Sequence, residues 1–334
     1  MNATRQSLEE HLGAQQVLRG SDQARGTALV IRCIAAVASA IADELAHAAL
    51  RGRLGVAGGT NVTGDQVKKL DVWGHDVMLD ALRQCGVCAA LVSEEAPEPI
   101  EIPGGKGPRG VVVACDPVDG SSNLDVNGTV GTIFSVKPSL GWDPAGPAAL
   151  TPGTDQLAAG YVMYGPATTL VYTAGNGTHG FTMERATGTF YLTHPNIRIP
   201  KKGKVYGINE GNISTWHPGQ RAFVEYLRTP DKATGRPYSL RYSGAMVADV
   251  HRTLLDGGLF MYPADMSDPT KPKGKLRLLY EVAPMGMVVE QAGGRASTGT
   301  ERVLELKATD YHQRAAIIVG SPDDVTLAEE FYRR

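Results

Sequence analysis

The hydrophobic pattern of the chain switches between two periods. Residues 27 to 50 place Ile34, Val37, Ile41 and Leu45 at spacings of three and four, which is the apolar stripe of a packed helix. Arg32 and Asp43-Glu44 bracket the wholly apolar part, leaving it well short of the ~20 residues a membrane span needs. Leu70, Trp73 and Val77 repeat the helical spacing, whereas Val87 to Val92 and Val111-Val-Val-Ala-Cys115 are short apolar runs that predict buried strands. Residues 129–137 and 157–173 are β-rich on either side of the Pro/Gly stretch Gly141-Trp-Asp-Pro-Ala-Gly-Pro147. Gly175-Asn-Gly-Thr178 predicts a hairpin turn, with strands running on to about Ile199. Beyond it come a strand at Val205-Tyr-Gly-Ile208, a helix near Gln220 to Arg228, a helix opened by Met246 and running through Leu255, and a strand closed by Pro263. Pro284 then opens an apolar helix through Val289. This alternation predicts an α/β fold. The polar break Lys201-Lys-Gly-Lys204 is the expected boundary between domains of residues 1–200 and 201–334.

With 334 residues, 42% of them hydrophobic and 20% charged, the chain has apolar material for a large core in two packed halves. A formal net charge of -2 leaves no basic excess for a nucleic-acid backbone, so a small anionic metabolite is the expected partner. The first ten residues lack the apolar core of a secretory signal, and Glu9 and Glu10 argue against a transit peptide, so a cytoplasmic location is expected. The four cysteines, at 33, 85, 88 and 115, do not complete a zinc set, and Cys85-Gly-Val-Cys88 reads as structural.

The candidate chemistry lies where strands end. Val111-Val-Val leads to Asp116-Pro-Val-Asp119, where Pro117 is expected to stop the strand and Gly120-Ser121-Ser122-Asn123 to open a helix. Free N–H groups at such a start bind anions, and ligands collect at the C-terminal edge of open α/β sheets. The Val87–Val92 strand likewise stops at Ser93-Glu94-Glu95. Four acids at one sheet edge would repel by roughly 3 kcal/mol per pair at ~5 Å and a dielectric near 20, so divalent cations or shifted pKa values must compensate. Asp65 and Asp71 flank another helix start, after a Gly-rich stretch between Arg51 and Lys69 expected to be a mobile lid. Glu281, near the start of the helix at Pro284, is a further acid expected to face the site. Each acid alone fits an ordinary turn or helix start; together they point to Mg²⁺ and phosphate.

These pieces occur in a specific order: Asn61-Val-Thr-Gly-Asp-Gln-Val-Lys-Lys-Leu-Asp71, Ser93-Glu-Glu95, Asp116-Pro-Val-Asp-Gly-Ser-Ser-Asn123, Gly244-Ala-Met-Val-Ala-Asp-Val-His-Arg252 and Lys275-Leu-Arg-Leu-Leu-Tyr-Glu281. The chain resembles class I fructose-1,6-bisphosphatase from about Arg25 to Asp324. The resemblance implies a five-layer α-β-α-β-α sandwich of two mixed-sheet domains, assembled as a homotetramer and using Mg²⁺ or Mn²⁺, two or more ions per subunit, to hydrolyse the 1-phosphate of fructose 1,6-bisphosphate. It implies metal ligation by Glu94, Glu95, Asp116, Asp119, Glu281 and the Val118 carbonyl, with Asp65, Asp71 and Glu95 catalytic. Gly120, Ser121 and Ser122 match the amides around the 1-phosphate. Asn209, Tyr242, Met246, Tyr262, Lys275 and Arg277 match sugar and 6-phosphate contacts, and Arg241 an arginine donated across a subunit interface. Sedoheptulose-1,7-bisphosphatase activity and a non-catalytic sugar-phosphate sensor are the alternatives on the same fold.

Two departures bear on regulation. Asn212 stands where animal enzymes place a tyrosine after Asn-Glu-Gly. Animal members bind inhibitory AMP where Arg-Gly-Thr opens the N-terminal helix; here Arg25-Gly26-Thr27 is followed by Ala28-Leu-Val-Ile31, without the threonine hydroxyl. Gly110, Val111 and Pro138 replace the polar and cationic residues that complete that pocket, so an enzyme little affected by AMP is expected.

Overall fold

In the computed structural model, which describes residues 5–15, 20–60, 66–105, 107–139, 150–268 and 274–334, the N-terminal region forms helices α1 (Leu8–Ala14) and α2 (Asp22–His47). Helix α2 begins five residues before the predicted start at residue 27, because Ser21 Oγ accepts the Ala24 N–H and Asp22 pairs with Arg25. The expected loop at 51–69 is instead partly ordered. Strands β1 (Val56–Thr60) and β2 (Gln66–Lys68) pair antiparallel and lead into α3 (Lys69–Gln84). Asp65 lies outside the described residues.

Strands β3 (Cys88–Ser93), β4 (Ile100–Glu101), β5 (Val111–Asp119), β6 (Val130–Pro138), β7 (Ala158–Tyr164), β8 (Thr168–Thr173), β9 (Thr178–Glu184) and β10 (Thr189–Ile197) form one eight-stranded sheet in the order β10-β9-β8-β7-β6-β5-β3-β4. It is mixed, with β3 and β5 parallel and the other pairs antiparallel. β5 lies inside the sheet and is buried at every position, which explains its unbroken apolar run. After residues 201–204 come β11 (Val205–Gly207), α4 (Pro218–Arg228), β12 (Ser239–Leu240), α5 (Met246–Asp256), β13 (Leu259–Tyr262), β14 (Leu276–Arg277), α6 (Ala283–Gln291), β15 (Arg295–Ser297), β16 (Arg314–Ala315), β17 (Ile317–Gly320) and α7 (Pro322–Arg333). Five of these strands make a second mixed sheet, in the order β12-β11-β13-β17-β15.

Three apolar clusters stack these parts into five layers. Ile31, Ile34, Val37 and Ile41 of α2 and Met78 and Leu82 of α3 pack on one face of the large sheet. Its other face, with Val112, Ile133, Tyr161 and Val171, meets α5 and α6, whose Val247, Val250, Met285 and Val288 also reach Phe260 and Val319 of the small sheet. Phe223 and Val224 of α4 and Val325 of α7 cover the outer face of that sheet. Burial of each of these large aliphatic side chains contributes about 1.5–3 kcal/mol. Among the described residues no helix is long and apolar enough to cross a membrane.

Candidate active site

β5 does not stop at Pro117. It continues to Asp119 across a register shift, Asp116 pairing with Ile133 and Asp119 with Gly131, so three steps on β5 answer two on β6. In a regular strand residues three apart point to opposite faces, and one extra residue restores the same face. The bulge is therefore what brings Asp116 and Asp119 to one cavity. Gly120 follows at φ 76, and a Cβ there would stand 2.5 Å from Ala245 Cβ, so glycine is required for the turn and for contact with the start of α5. Ser121–Val126 is a single 3₁₀ segment and not the expected helix.

Glu281 reaches the same place from the other half of the chain. Leu278–Val282 forms a π-helical turn running into α6, where Pro284 has no N–H to contribute. Carboxylate oxygens of Asp116, Asp119 and Glu281 all lie within 4.8 Å of one another, and all three residues are buried. A backbone N–H anchors each: Val118 N to Asp116 Oδ1 at 3.0 Å, Val247 N to Asp119 Oδ2 at 2.9 Å, and Arg277 N to Glu281 Oε2 at 2.6 Å. The Arg277 guanidinium is 2.8 Å from Glu94 Oε1 and 4.0 Å from Glu281 Oε2. Beside Glu281, the Tyr280 hydroxyl meets His312 Nδ1 at 2.8 Å, and His312 Nε2 donates to the Pro97 carbonyl at 3.2 Å.

Such crowding shows in the acidities. Burial, then the charge of Glu94, raise Glu281 to about 8 and drive Asp116 far above the carboxylate range. Asp119 rises to about 7 by burial, against the pull of the Val247 and Met246 N–H groups. Asp71 rises to about 6 for the same first reason; Lys68 N donates to its Oδ2 at 2.8 Å, while Oδ1 is buried without a hydrogen-bond partner among the described residues. Three packed carboxylates that burial drives toward protonation, with an orphaned carboxylate oxygen on the same cavity wall, are a donor set suited to a hard divalent cation. The residues fit that group.

The cavity encloses about 360 Å³. Asp71, Glu94, Glu95, Val118, Gly120, Ser121 and Ser122 join the cluster on its walls, together with Tyr242, Met246, Tyr262, Lys275 and Arg277. Asn209 and Arg241 do not line it: Asn209 Oδ1 caps Gly211 N at 3.1 Å, and Arg241 is exposed. Gln66, Lys68, Gly244 and Phe260 line it without having been singled out in the sequence.

Another unanticipated residue stands behind the wall. Asp125 accepts from Gly55 N at 2.9 Å and from Lys68 Nζ at 2.6 Å, clasping both ends of the Gly-rich ribbon. Lys68 in turn holds Asp71. Asp125 is exposed, so its loss leaves global stability nearly unchanged. Asp125→Ala is expected to lower kcat roughly three- to tenfold, less than a full charge-assisted bond because the pair is solvent-exposed, with KM less affected and cleavage by protease at 55–68 accelerated. Unchanged kcat together with unchanged proteolysis would show that the clasp holds nothing of consequence.

Residues 9–195 match the family model described as the N-terminal domain of fructose-1-6-bisphosphatase, and residues 199–333 match that of its C-terminal domain. The chain belongs to the fructose-1,6-bisphosphatase family. It is 46% identical over 299 residues to a "Fructose-1,6-bisphosphatase class 1" of Maridesulfovibrio salexigens, covering 89% of this chain and 88% of that one. A relative of the same name from Chlorobaculum parvum is 45% identical over 328 residues, covering 97% of each. Among solved structures, the holo form of Leishmania major fructose-1,6-bisphosphatase superposes with a TM-score of 0.89 at 38% identity, covering 99% of this chain and 100% of that one. The apo form gives 0.85 at 36% identity, with the same coverage.

Proposed function

We propose that this cavity hydrolyses the 1-phosphate of fructose 1,6-bisphosphate, releasing fructose 6-phosphate and inorganic phosphate. The convergence of Asp116, Asp119 and Glu281 carries this reading. Together with Glu94, Glu95 and the Val118 carbonyl they would hold Mg²⁺ or Mn²⁺, two or more ions per subunit, which when bound polarises phosphoryl oxygens, acidifies water and neutralises a leaving alkoxide. Glu95 and Asp71 take the proton of the attacking water, and Asp65 is the third catalytic acid. Gly120, Ser121 and Ser122 orient the reacting phosphate through their N–H groups. Lys275 pairs with the remote phosphate, Tyr242 and Tyr262 hydrogen-bond it, and Met246 packs on the sugar, so that remote binding energy serves orientation. Burial, then Tyr262, raise Tyr242 to about 12, so its hydroxyl remains a donor at neutral pH. Arg277 keeps Glu94 and Glu281 in place. Arg241, exposed and outside the cavity, is assigned to a neighbouring subunit's site in a homotetramer, and Asn209 to the sugar end. The domain division is placed at residues 200 and 201.

Turnover of fructose 1,6-bisphosphate and sedoheptulose 1,7-bisphosphate, measured side by side with Mg²⁺, is the deciding experiment. Faster release of phosphate from the fructose ester is expected, lost with chelator and recovered with Mg²⁺. No turnover of either ester with any divalent cation would remove the proposal.

AMP is expected to have little effect. Ala28, Val30 and Ile31 of α2 pack into the core and offer no hydroxyl to a nucleotide phosphate. Loss of a hydroxyl and two cationic partners removes charge-assisted bonds of ~1.5–3 kcal/mol each. Titration of AMP at saturating Mg²⁺ checks this, and half-inhibition in the micromolar range would contradict it.

A further inference from the structure

Asp116, Asp119 and Glu281 each have a backbone anchor of their own, but Glu94 and Glu95 ride on a turn. β3 ends at Ser93, and the chain is next paired at Ile100 in β4. Mg²⁺ demands near-ideal octahedral geometry, so a carboxylate on a loosely held turn serves it poorly. Side chains grip this turn at both ends. At the near end the hydroxyl oxygen of buried Ser93 accepts the Glu95 N–H at 3.3 Å and meets His75 Nδ1 at 2.8 Å. His75 stands four residues after Asp71 on the same face of α3, so the contact ties Glu95 to the helix that presents Asp71. At the far end Pro97 has no N–H, which leaves its carbonyl as the backbone handle. That carbonyl accepts from His312 Nε2 at 3.2 Å, while His312 Nδ1 meets the hydroxyl of Tyr280, the neighbour of Glu281, at 2.8 Å. The His312 backbone N–H is seated on Asp310 Oδ1 at 2.7 Å, and Tyr280 is fully buried, so this strut is fixed at both of its ends.

We infer that His75 and His312 are positioning residues that clamp the Glu94-Glu95 turn, His75 setting it against Asp71 and His312 setting it against Glu281. Neither is among the residues that line the cavity, so each acts on the acids through the backbone that carries them. Hydrogen-bond partners of this kind, one step behind the ligands, are typically worth about 10–100-fold in metal affinity or activity. The inference rests on the reading of these acids as metal ligands. The two contacts differ in what they ask of the ring. His75 uses one nitrogen, and an asparagine amide stands at the place of Nδ1, whereas a glutamine amide lies one atom further out. His312 uses both nitrogens at once, so asparagine would keep the Tyr280 contact alone and glutamine the Pro97 contact alone.

Two measurements on the full-length enzyme test the clamp. One is the Mg²⁺ concentration that gives half of the rise in melting temperature, titrated from chelator-stripped protein; the other is kcat with KM at saturating Mg²⁺. His75→Ala and His312→Ala should each raise the Mg²⁺ midpoint roughly tenfold and lower kcat roughly tenfold, with KM for the sugar ester within about twofold of wild type. His75→Asn should recover most of both losses and His75→Gln neither, whereas at His312 both substitutions should stay close to the alanine variant. Ser93→Ala should match His75→Ala, and the double variant should be no worse than either. A midpoint and kcat within about twofold of wild type in either alanine variant would overturn the clamp. So would losses that follow the melting temperature of the stripped protein and are the same for asparagine and glutamine at position 75. Mg²⁺ binding without turnover of either ester would remove the activity assigned above, and the midpoints alone would then decide the clamp.

Discussion

Asp119→Asn is expected to reduce turnover by roughly a thousandfold or more, about 4 kcal/mol of lost transition-state stabilisation. The substitution removes one of three carboxylates packed within 4.8 Å of one another, and with it the charge that holds a cation against the transferring phosphoryl group. It changes little else. An asparagine carbonyl still accepts from Val247 N, so the contact with the start of α5 persists. Removing one negative charge also relieves repulsion in the cluster, so the metal-free variant should melt no lower than the metal-free wild type. A kcat within tenfold of wild type would take Asp119 out of the chemistry, and the melting curve separates that result from misfolding.

The second large effect is on stability. Glu281 at about 8 and Asp119 at about 7 lie above the values these groups have in an unfolded chain, and Asp116 lies higher still. Folding of the metal-free protein therefore favours their protonated forms. That contribution is full below the unfolded carboxyl range and is lost as pH rises through about 7 to 8. A cation reverses the balance by taking the place of the protons. The metal-free protein is expected to melt roughly 5–10 °C lower near pH 9 than near pH 6, corresponding to about 3–5 kcal/mol, and saturating Mg²⁺ should remove most of the difference. Calorimetry with and without chelator at both pH values checks it. A melting temperature that does not change with pH in chelator would mean that the carboxylates are not coupled as their packing requires.

Much of this site was legible in the sequence because apolar runs mark where strands end. Three consecutive valines place Asp116 and Asp119 at the end of a central strand, and Pro284 places Glu281 at a helix start. The local devices that aim these side chains were not legible. A β-bulge depends on a shift against β6, and a π turn on how α6 is gripped between sheets; neither leaves a residue signature. Helix α2 extends beyond its stripe because a serine cap, which hydrophobic periodicity does not register, sets its start. Asp125 carried no signal because its partners lie 57 and 70 residues away. The Gly-rich stretch reads as a loop by composition, but backbone pairing between β1 and β2 outweighs the permissiveness of its glycines.

Helix α6 touches both sheets and begins in the turn that bears Glu281, while Asp116 and Asp119 come from the large sheet and Asp119 is capped by α5. The acids are thus contributed from both sides of any cut made near residue 200. Chimeras that join the front of one relative to the back of another inherit mismatched central helices, and sub-ångström errors in their seating fall on the carboxylates. Recombination should therefore be tolerated at the outer layers, such as α4 and α7, and punished in the middle one. Lineages of this chain are expected to pass on the inner helices and both ligand-bearing edges as one block.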